Sequence, residues 1–349
     1  MATGPLNPAM RHSPEFDLIG LIRERMEATV GAVDPASAGA EIRVGIGDDA
    51  AVTVPRGATA TTIDALVDGV GFRRRWCPPR AIGRKALGAA LSDLAAMGAS
   101  PGEAYVWLGA PADFDTDEVL ELCEGIATLA VETGVAILGG DVTRAGTLSI
   151  SVTAVGHAAS PDLLLGRSGA EAGDALCATG SFGGAAAGLM LLEHPDLAAE
   201  LPQAIRDAAI ARQLGPVPQL AAGRELAAGG ARAMIDVSDG LGADAEQLAA
   251  ASGLGIEIEL GRVPAAAGVS EVAAAAGRDP LELVASGGED YELLCAVPRS
   301  ALDEAAAAAS RGNSKLTEIG RFVSSRSVRL RLPGGRSIPA SGHDHIGGG

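Results

Sequence analysis

The chain has 349 residues, enough for two domains of ordinary size, and 47% of them are hydrophobic, so a sizeable core is available. Aromatic residues make up only 3%, which leaves that core to Ala, Val, Leu and Ile, and the 48 glycines follow no collagen-like period. A formal net charge of −17 argues against nucleic acid or an anionic membrane as a partner, because binding phosphate requires Lys and Arg in excess.

Segments 1–14 and 347–349 read as flexible ends, and MATGPLNPAMRHSP lacks the apolar centre of a signal peptide. Phe16, Ile19, Leu21 and Ile22 carry the period of a short amphipathic helix. IRVGIG and ATATTIDALV predict strands, and 83–99, with Leu87, Leu91 and Leu94 stepping at three to four residues, predicts a helix. TDEVLELCEGIATLAVETG predicts a second helix that stops at Gly134, and VAILGGD and LSISVTAVGH predict strands after it. Between His157 and Asp174 the periodicity is lost in a stretch of Pro, Ser and Gly. The expected boundary falls there, between an N-terminal domain of 15–157 and a C-terminal domain of 158–346.

The second half reads as strand ALCATG, a Gly-rich turn, an Ala/Leu helix, strand ARAMIDVSDG, helix ADAEQLAAASG and strand IEIEL. The loop ASGGEDYELLCAVP, an Ala-rich helix and C-terminal strands follow. This alternation predicts a mixed α/β fold in each half. No run approaches 18 uninterrupted apolar residues, and Cys77, Cys123, Cys177 and Cys295 form no CxxC pair. The expectation is a soluble, cytoplasmic protein with no membrane span and no structural zinc.

Acidic residues carry the chemistry. GIGDDAAV holds Asp48 and Asp49 side by side, Asp64 ends TATTI, Asp93 lies in LSDLAAMGA, and Asp141 closes VAILGGD. Asp236 and Asp239 flank IDVSDG, and Glu289 and Asp290 follow VASGG. Most are expected where an apolar strand exits into a glycine-containing loop, the edge at which α/β sheets bind ligands. Any one of them alone reads as a turn or helix-cap residue, but their repetition in one context points to hard divalent cations such as Mg²⁺.

Competing motifs fail. GIGDDA matches a loose dinucleotide fingerprint, but its aspartates would repel a pyrophosphate; no GxxxxGK[ST] or GxSxG is present. In the basic cluster FRRRWCPPRAIGRK most members read as a solvated face, whereas Arg167, in GRSGAEAGD, is equally suited to a surface salt bridge or to a bidentate grip on phosphate. His343 and His345, in HDH near the end, read as terminal packing.

GIGDDAAV, IDALVDGVGF, KALGAALSDLAAMGA, GGDVTR, RSGAEAGD, IDVSDGL, SGGEDYEL and GHDHI occur in that order. Together they resemble the thiamine-monophosphate kinase family, within the superfamily that includes aminoimidazole-ribonucleotide synthetase and selenophosphate synthetase. The resemblance runs from about residue 15 to 346, with LSDLAAMGA and SGGEDYEL its most specific parts. It implies a two-domain α/β (α+β) protein whose N-terminal domains pair into a dimeric β-barrel. The implied reaction passes the γ-phosphoryl group of ATP to thiamine monophosphate, with several Mg²⁺ ions between the phosphates.

The resemblance further implies Asp49, Thr62, Asp64, Asp93, Asp141, Asp236 and Asp239 as metal ligands. Gly140, Asp141, Arg167 and Ser238 match ATP contacts, and Gly71, Glu289 and His343 match the acceptor's site. Three departures stand out: Ile63 where the family has Thr or Ser, Gly71 where it has His, and His343 and Ile346 where it has aromatics. The rival expectations are a kinase of the same fold with another phosphorylated acceptor, and a non-catalytic ATP-binding paralogue.

Overall fold

The computed structural model describes residues 14–30, 39–46, 49–338, 340 and 342. Asp48, His343, His345 and Ile346 therefore lie outside the described residues, as do the two expected flexible ends apart from Pro14.

Helix α1 (Pro14–Val30) precedes a two-stranded antiparallel sheet of β1 (Ala40–Val44) and β2 (Val52–Pro55). Next come β3 (Ala58–Val67), α2 (Pro79–Ala96), β4 (Ser100–Ala110), α3 (Thr116–Thr133), β5 (Ala136–Arg144) and β6 (Ser149–Ala158). Their strands form a four-stranded sheet in the order β3-β6-β4-β5. The β3–β6 pairing is antiparallel from Ala58↔Ala158 to Val67↔Ser149 without a slip, and β5 lies parallel to β4 at the edge.

The second half contains β7 (Ala175–Thr179), α4 (Gly184–Glu193), α5 (Pro195–Ala199), α6 (Gln203–Leu214) and α7 (Leu220–Ala228). It continues through β8 (Ala233–Asp236), α8 (Leu241–Ala251), β9 (Gly255–Glu259), α9 (Val269–Ala275), α10 (Pro280–Ser286) and β10 (Leu293–Val297). Helix α11 (Leu302–Arg311) and strands β11 (Leu316–Val323), β12 (Val328–Arg331) and β13 (Ser337–Ile338) complete it. These strands make a seven-stranded sheet, β13-β12-β9-β11-β7-β10-β8, antiparallel except between β12 and β9. The expected loop ASGGEDYELLCAVP is much shorter in the fold: Ala285 and Ser286 end α10, and LLCAV is the buried strand β10.

Strands β7, β10 and β8 are buried throughout. Ala175, Cys177, Met234 and Cys295 join the core of the N-terminal half, while Leu176, Ala178, Ile235 and Leu294 join the second core. That is the period-2 alternation of a sheet covered on both faces. One hydrophobic core thus runs unbroken from the four-stranded sheet into the near face of the seven-stranded one.

Helix α2 occupies the middle of that core, in contact with β3, β6, α3, α7 and β8. Buried on nearly every side, it is apolar almost all round, as an interior helix must be. Glycines admit α3 closely: a Cβ at Gly83 would strike the Leu122 carbonyl, and one at Gly125 the Arg80 carbonyl. Pro79 opens α2, and a left-handed Gly98 just past its end turns the chain into β4. Helix α3 begins in an Asp115–Glu118 capping box, and it ends on left-handed Gly134, where the sequence predicts its stop. Among the described residues no helix is long and apolar enough to cross a membrane.

Candidate active site

The polar residues buried on α2 organise the site. Ser92 donates from Oγ to Asp236 Oδ2 at 2.6 Å, tying α2 to the end of β8. The next residue, Asp93, accepts from Thr62 Oγ1 at 2.5 Å, tying α2 to β3. Two residues along β3, Asp64 shares the face of Thr62, because alternate strand residues point to the same side. One helix thus brings together carboxylates from three distant parts of the chain.

These carboxylates repel one another in a poorly solvated place. Burial, and then the neighbouring Asp93 charge, push Asp236 up to about 6, although the Ser92 hydroxyl, a backbone bond and the Arg167 guanidinium pull the other way. Asp244, from the first turn of α8, reaches back to accept from the backbone N–H groups of Asp239 and Gly240, at 3.0 Å each. Burial pushes it up to about 7, with Asp236 and Asp239 adding to the rise. The Tyr291 phenol is raised well above its usual range, by burial first and then by Glu289, Asp64, Asp236 and Asp93. Its ring therefore lies within the field of all four acids.

A cavity of about 940 Å³ opens beside this group between the two halves. Leu66, Phe72, Trp76, Met190 and Leu283 give it apolar walls, and Gly71 and Gly342 also line it. Asp64, Ser238, Glu289 and Tyr291 supply its polar side, together with Lys85 from α2. Glu289 is gripped there by the Lys85 ammonium, 2.8 Å from Oε1 and 2.9 Å from Oε2, and by Gln213 Nε2 at 2.6 Å.

The other acids of SGGEDYEL are fasteners of the fold. Asp290 accepts from the backbone N–H groups of Gly183 (2.6 Å) and Ala185 (3.1 Å), closing the N-terminus of α4. Glu292 accepts from Thr179 Oγ1 at 2.8 Å and pairs with Arg212 at 3.3 Å.

The remaining expected site residues are placed more widely. The strand-exit expectation holds for Asp236 at the end of β8, but Asp64 and Asp141 lie within strands; Asp93 lies on α2, within the helix its sequence predicts. Asp141 is in register with Trp107, Ser151 and Ala65, on the sheet face opposite Asp64, and is exposed. Asp49 is exposed ahead of β2. Gly140 is required by close approach to β4, since a Cβ there would strike the Val106 carbonyl. Ile63 points away from the acids and is 70% exposed, so its missing hydroxyl takes nothing from their face.

Arg167 is exposed beside the end of β8, and the Ser238 carbonyl accepts from the Glu289 N–H at 2.8 Å. Lys85, Ser92, Gln213, Asp244 and Tyr291 were not singled out from sequence. Part of the signal for the first two was present: a lysine and a serine seven residues apart fall on one side of the predicted helix, among small apolar residues.

Among the described residues no three His, Cys, Asp or Glu side chains converge as a ready-made metal cage. The donor set nevertheless fits Mg²⁺, which takes one or two carboxylates and completes its shell with water and substrate phosphate. Asp236 and Asp93, close enough to repel and short of neutralising cations, are the residues such an ion would relieve.

Two layered α/β halves share one core, with acids and a cavity at their junction, and the chain falls in the AIR synthase-related class. Residues 47–158 match the model of the AIR synthase related protein N-terminal domain, and residues 171–333 that of its C-terminal domain. A thiamine-monophosphate kinase of Rhodopirellula baltica is 39% identical over 62% of this chain and 64% of its own length. The Mycobacterium tuberculosis thiamine-monophosphate kinase is 37% identical over 72% of this chain and 71% of its own.

Among solved structures, the thiamine-monophosphate kinase of Stenotrophomonas maltophilia superposes with a TM-score of 0.78 at 33% identity, covering 89% of this chain and 95% of that one. A structure described as AaThiL complexed with AMPPCP and TMP superposes at 0.72 with 28% identity, covering 97% of this chain and 99% of that one. The chain belongs to the thiamine-monophosphate kinase family.

Proposed function

We propose that this protein transfers the γ-phosphoryl group of ATP to the phosphate of thiamine monophosphate, yielding thiamine diphosphate and ADP. The observation that carries this reading is the junction itself: an apolar-walled cavity, roomy enough in volume for a heterocycle, opens beside carboxylates held by α2. In the transfer a phosphate oxygen of the acceptor forms a new P–O bond and the bond from the γ-phosphorus to the β–γ bridging oxygen breaks, so ADP leaves with that electron pair. Such transfers depend on positioning and charge neutralisation more than on covalent participation by the protein. Burial pushes Cys77, the thiol lining the cavity, up to about 11, which keeps it protonated and favours direct transfer over a thiolate intermediate.

In this reading Asp93, Asp236 and Asp64 hold Mg²⁺ at the phosphate end, with Thr62 orienting Asp93 and Asp239 and Asp49 completing the set. The metal supplies neutralisation of the phosphate oxygens and alignment of the two polyanions. Arg167 grips a nucleotide phosphate, and Gly140, Asp141 and Ser238 serve the nucleotide. Glu289 and Gly71 meet the acceptor. We assign the protein to the cytoplasm, where ATP and Mg²⁺ are supplied.

The protein is read as a homodimer through the outer face of the four-stranded sheet. Ile63 (70% exposed), Trp107 (38%) and Val67 (37%) crowd that face with apolar surface, and pairing two such faces would cover it. It would also bring Asp141 to the subunit boundary.

Purified protein incubated with ATP, Mg²⁺ and thiamine monophosphate should form thiamine diphosphate, measured by chromatography. ATP binding without this product would direct the search to another phosphorylated acceptor, a reading that the missing side chain at cavity-lining Gly71 favours.

A further inference from the structure

We propose that Lys85 is a positioning residue for the acceptor: it holds the Glu289 carboxylate toward the cavity from the same helix that carries Asp93 at the phosphate end. The proposal rests on the kinase reading above. Lys85 is 1% exposed, the largest of the fully buried side chains. Desolvating an ammonium is costly unless it is paired, and a methionine would fill similar volume without that cost. The charge therefore serves its partner. That partner is Glu289, bound through both carboxylate oxygens at 2.8 and 2.9 Å.

The loop bearing Glu289 is constrained to match. Glu289 and Tyr291 both adopt the left-handed backbone region, at φ +66° and +51°, which side-chain-bearing residues seldom enter. Their N–H groups are pinned to the carbonyls of Ser238 (2.8 Å) and Val237 (2.9 Å). Gln213 Nε2 fixes the carboxylate from α6 at 2.6 Å, while Gln213 Oε1 is buried with no hydrogen-bond partner among the described residues. An acceptor left unsatisfied is tolerated here in order to hold Glu289. Through all of this Glu289 keeps 26% of its side chain exposed, and it lines the cavity together with Lys85.

The consequence is mechanical. Lys85 and Asp93 are eight residues apart on one rigid helix, about 12 Å along its axis. The acceptor's heterocycle end and its phosphate end are thereby held at a set separation by α2, and a shift of either would misalign the reacting oxygens.

A double-mutant cycle on the full-length protein tests this, with Lys85→Met, Glu289→Gln and the combined variant assayed for thiamine monophosphate and ATP kinetics. Lys85→Met should raise KM for thiamine monophosphate by about tenfold or more, with KM for ATP unchanged within about twofold. If Lys85 acts through Glu289, the combined variant should bind the acceptor no worse than Glu289→Gln alone. Should Lys85→Met fail to fold because Glu289 is left unpaired, the combined variant lacks that orphan charge, and its comparison with Glu289→Gln still decides. Losses that multiply, or a KM for ATP that rises in step, would overturn the proposal while leaving the kinase reading in place. Absence of turnover by the wild-type protein would overturn both together.

Discussion

Asp236 illustrates how single residues behave at this junction: a carboxylate at the end of a buried strand, hydrogen-bonded by Ser92 yet raised to about 6 by burial and by Asp93. Arg167 offsets this repulsion only in part, and in the proposed function a bound cation would relieve the rest. Asp49 differs, because it is exposed and contributes little to packing. We therefore expect Asp49→Asn to raise the Mg²⁺ concentration needed for half-maximal activity several-fold, while changing stability by no more than about 0.5 kcal/mol. Magnesium titration of the activity and urea unfolding give the two numbers, and an unchanged magnesium requirement would remove Asp49 from the ligand set. Asp49, Asp93 and Asp236 could be picked out in the sequence because acids in apolar, glycine-rich surroundings stand out. The burial of Lys85 could not, since a lysine that closes a cluster of five arginines reads as a solvated face until the fold shows it buried.

At the scale of elements, Asp290 joins the SGGEDYEL loop to α4 by accepting from the first N–H groups of that helix. Burial raises it from the ordinary 3.8 to about 6 despite those two bonds. Its folded value lies above its unfolded one, so the folded chain holds the proton more tightly. Its contribution to stability is complete below about 3.8 and is lost as pH rises through about 6. Asp290→Asn keeps an acceptor for α4 and removes the titration. The stability of wild type relative to this variant should fall by roughly 2 kcal/mol between pH 4 and 7 in urea unfolding, and parallel curves would refute the assignment.

The α2–α3 contact makes a second prediction at this scale. Gly125→Ala forces a methyl against the Arg80 carbonyl and should cost about 1–3 kcal/mol, read as a lower urea midpoint with little change in slope. Helix α2 was legible from its leucine periodicity and α3 from its stop at Gly134. The reach of α10 into the GGED segment was not, because ASGG carries loop composition whichever way the chain turns.

At the scale of the whole molecule, the shared core makes the two halves one mechanical body, with α2 as the common member. The outer face of the four-stranded sheet exposes Ile63, Val67 and Trp107, and the proposed dimer pairs through it. Ile63→Glu, at the most exposed large apolar side chain of that face, should convert a dimer into a monomer in light scattering. A dimer that survives the change would place the interface elsewhere.

The sequence by itself determined the alternation of strands and helices, the acidic chemistry and the family resemblance, because periodicity, residue type and spacing are local properties of the chain. Tertiary structure alone decided that Lys85 is buried against Glu289, that Asp290 and Glu292 fasten the fold, and that Asp64 and Asp141 lie on opposite faces of one sheet. Those facts depend on register and on contacts between residues far apart in sequence, such as the 204 positions separating Lys85 from Glu289. A charge declares its sign in the sequence; its partner and its solvent exposure exist only once the chain has packed.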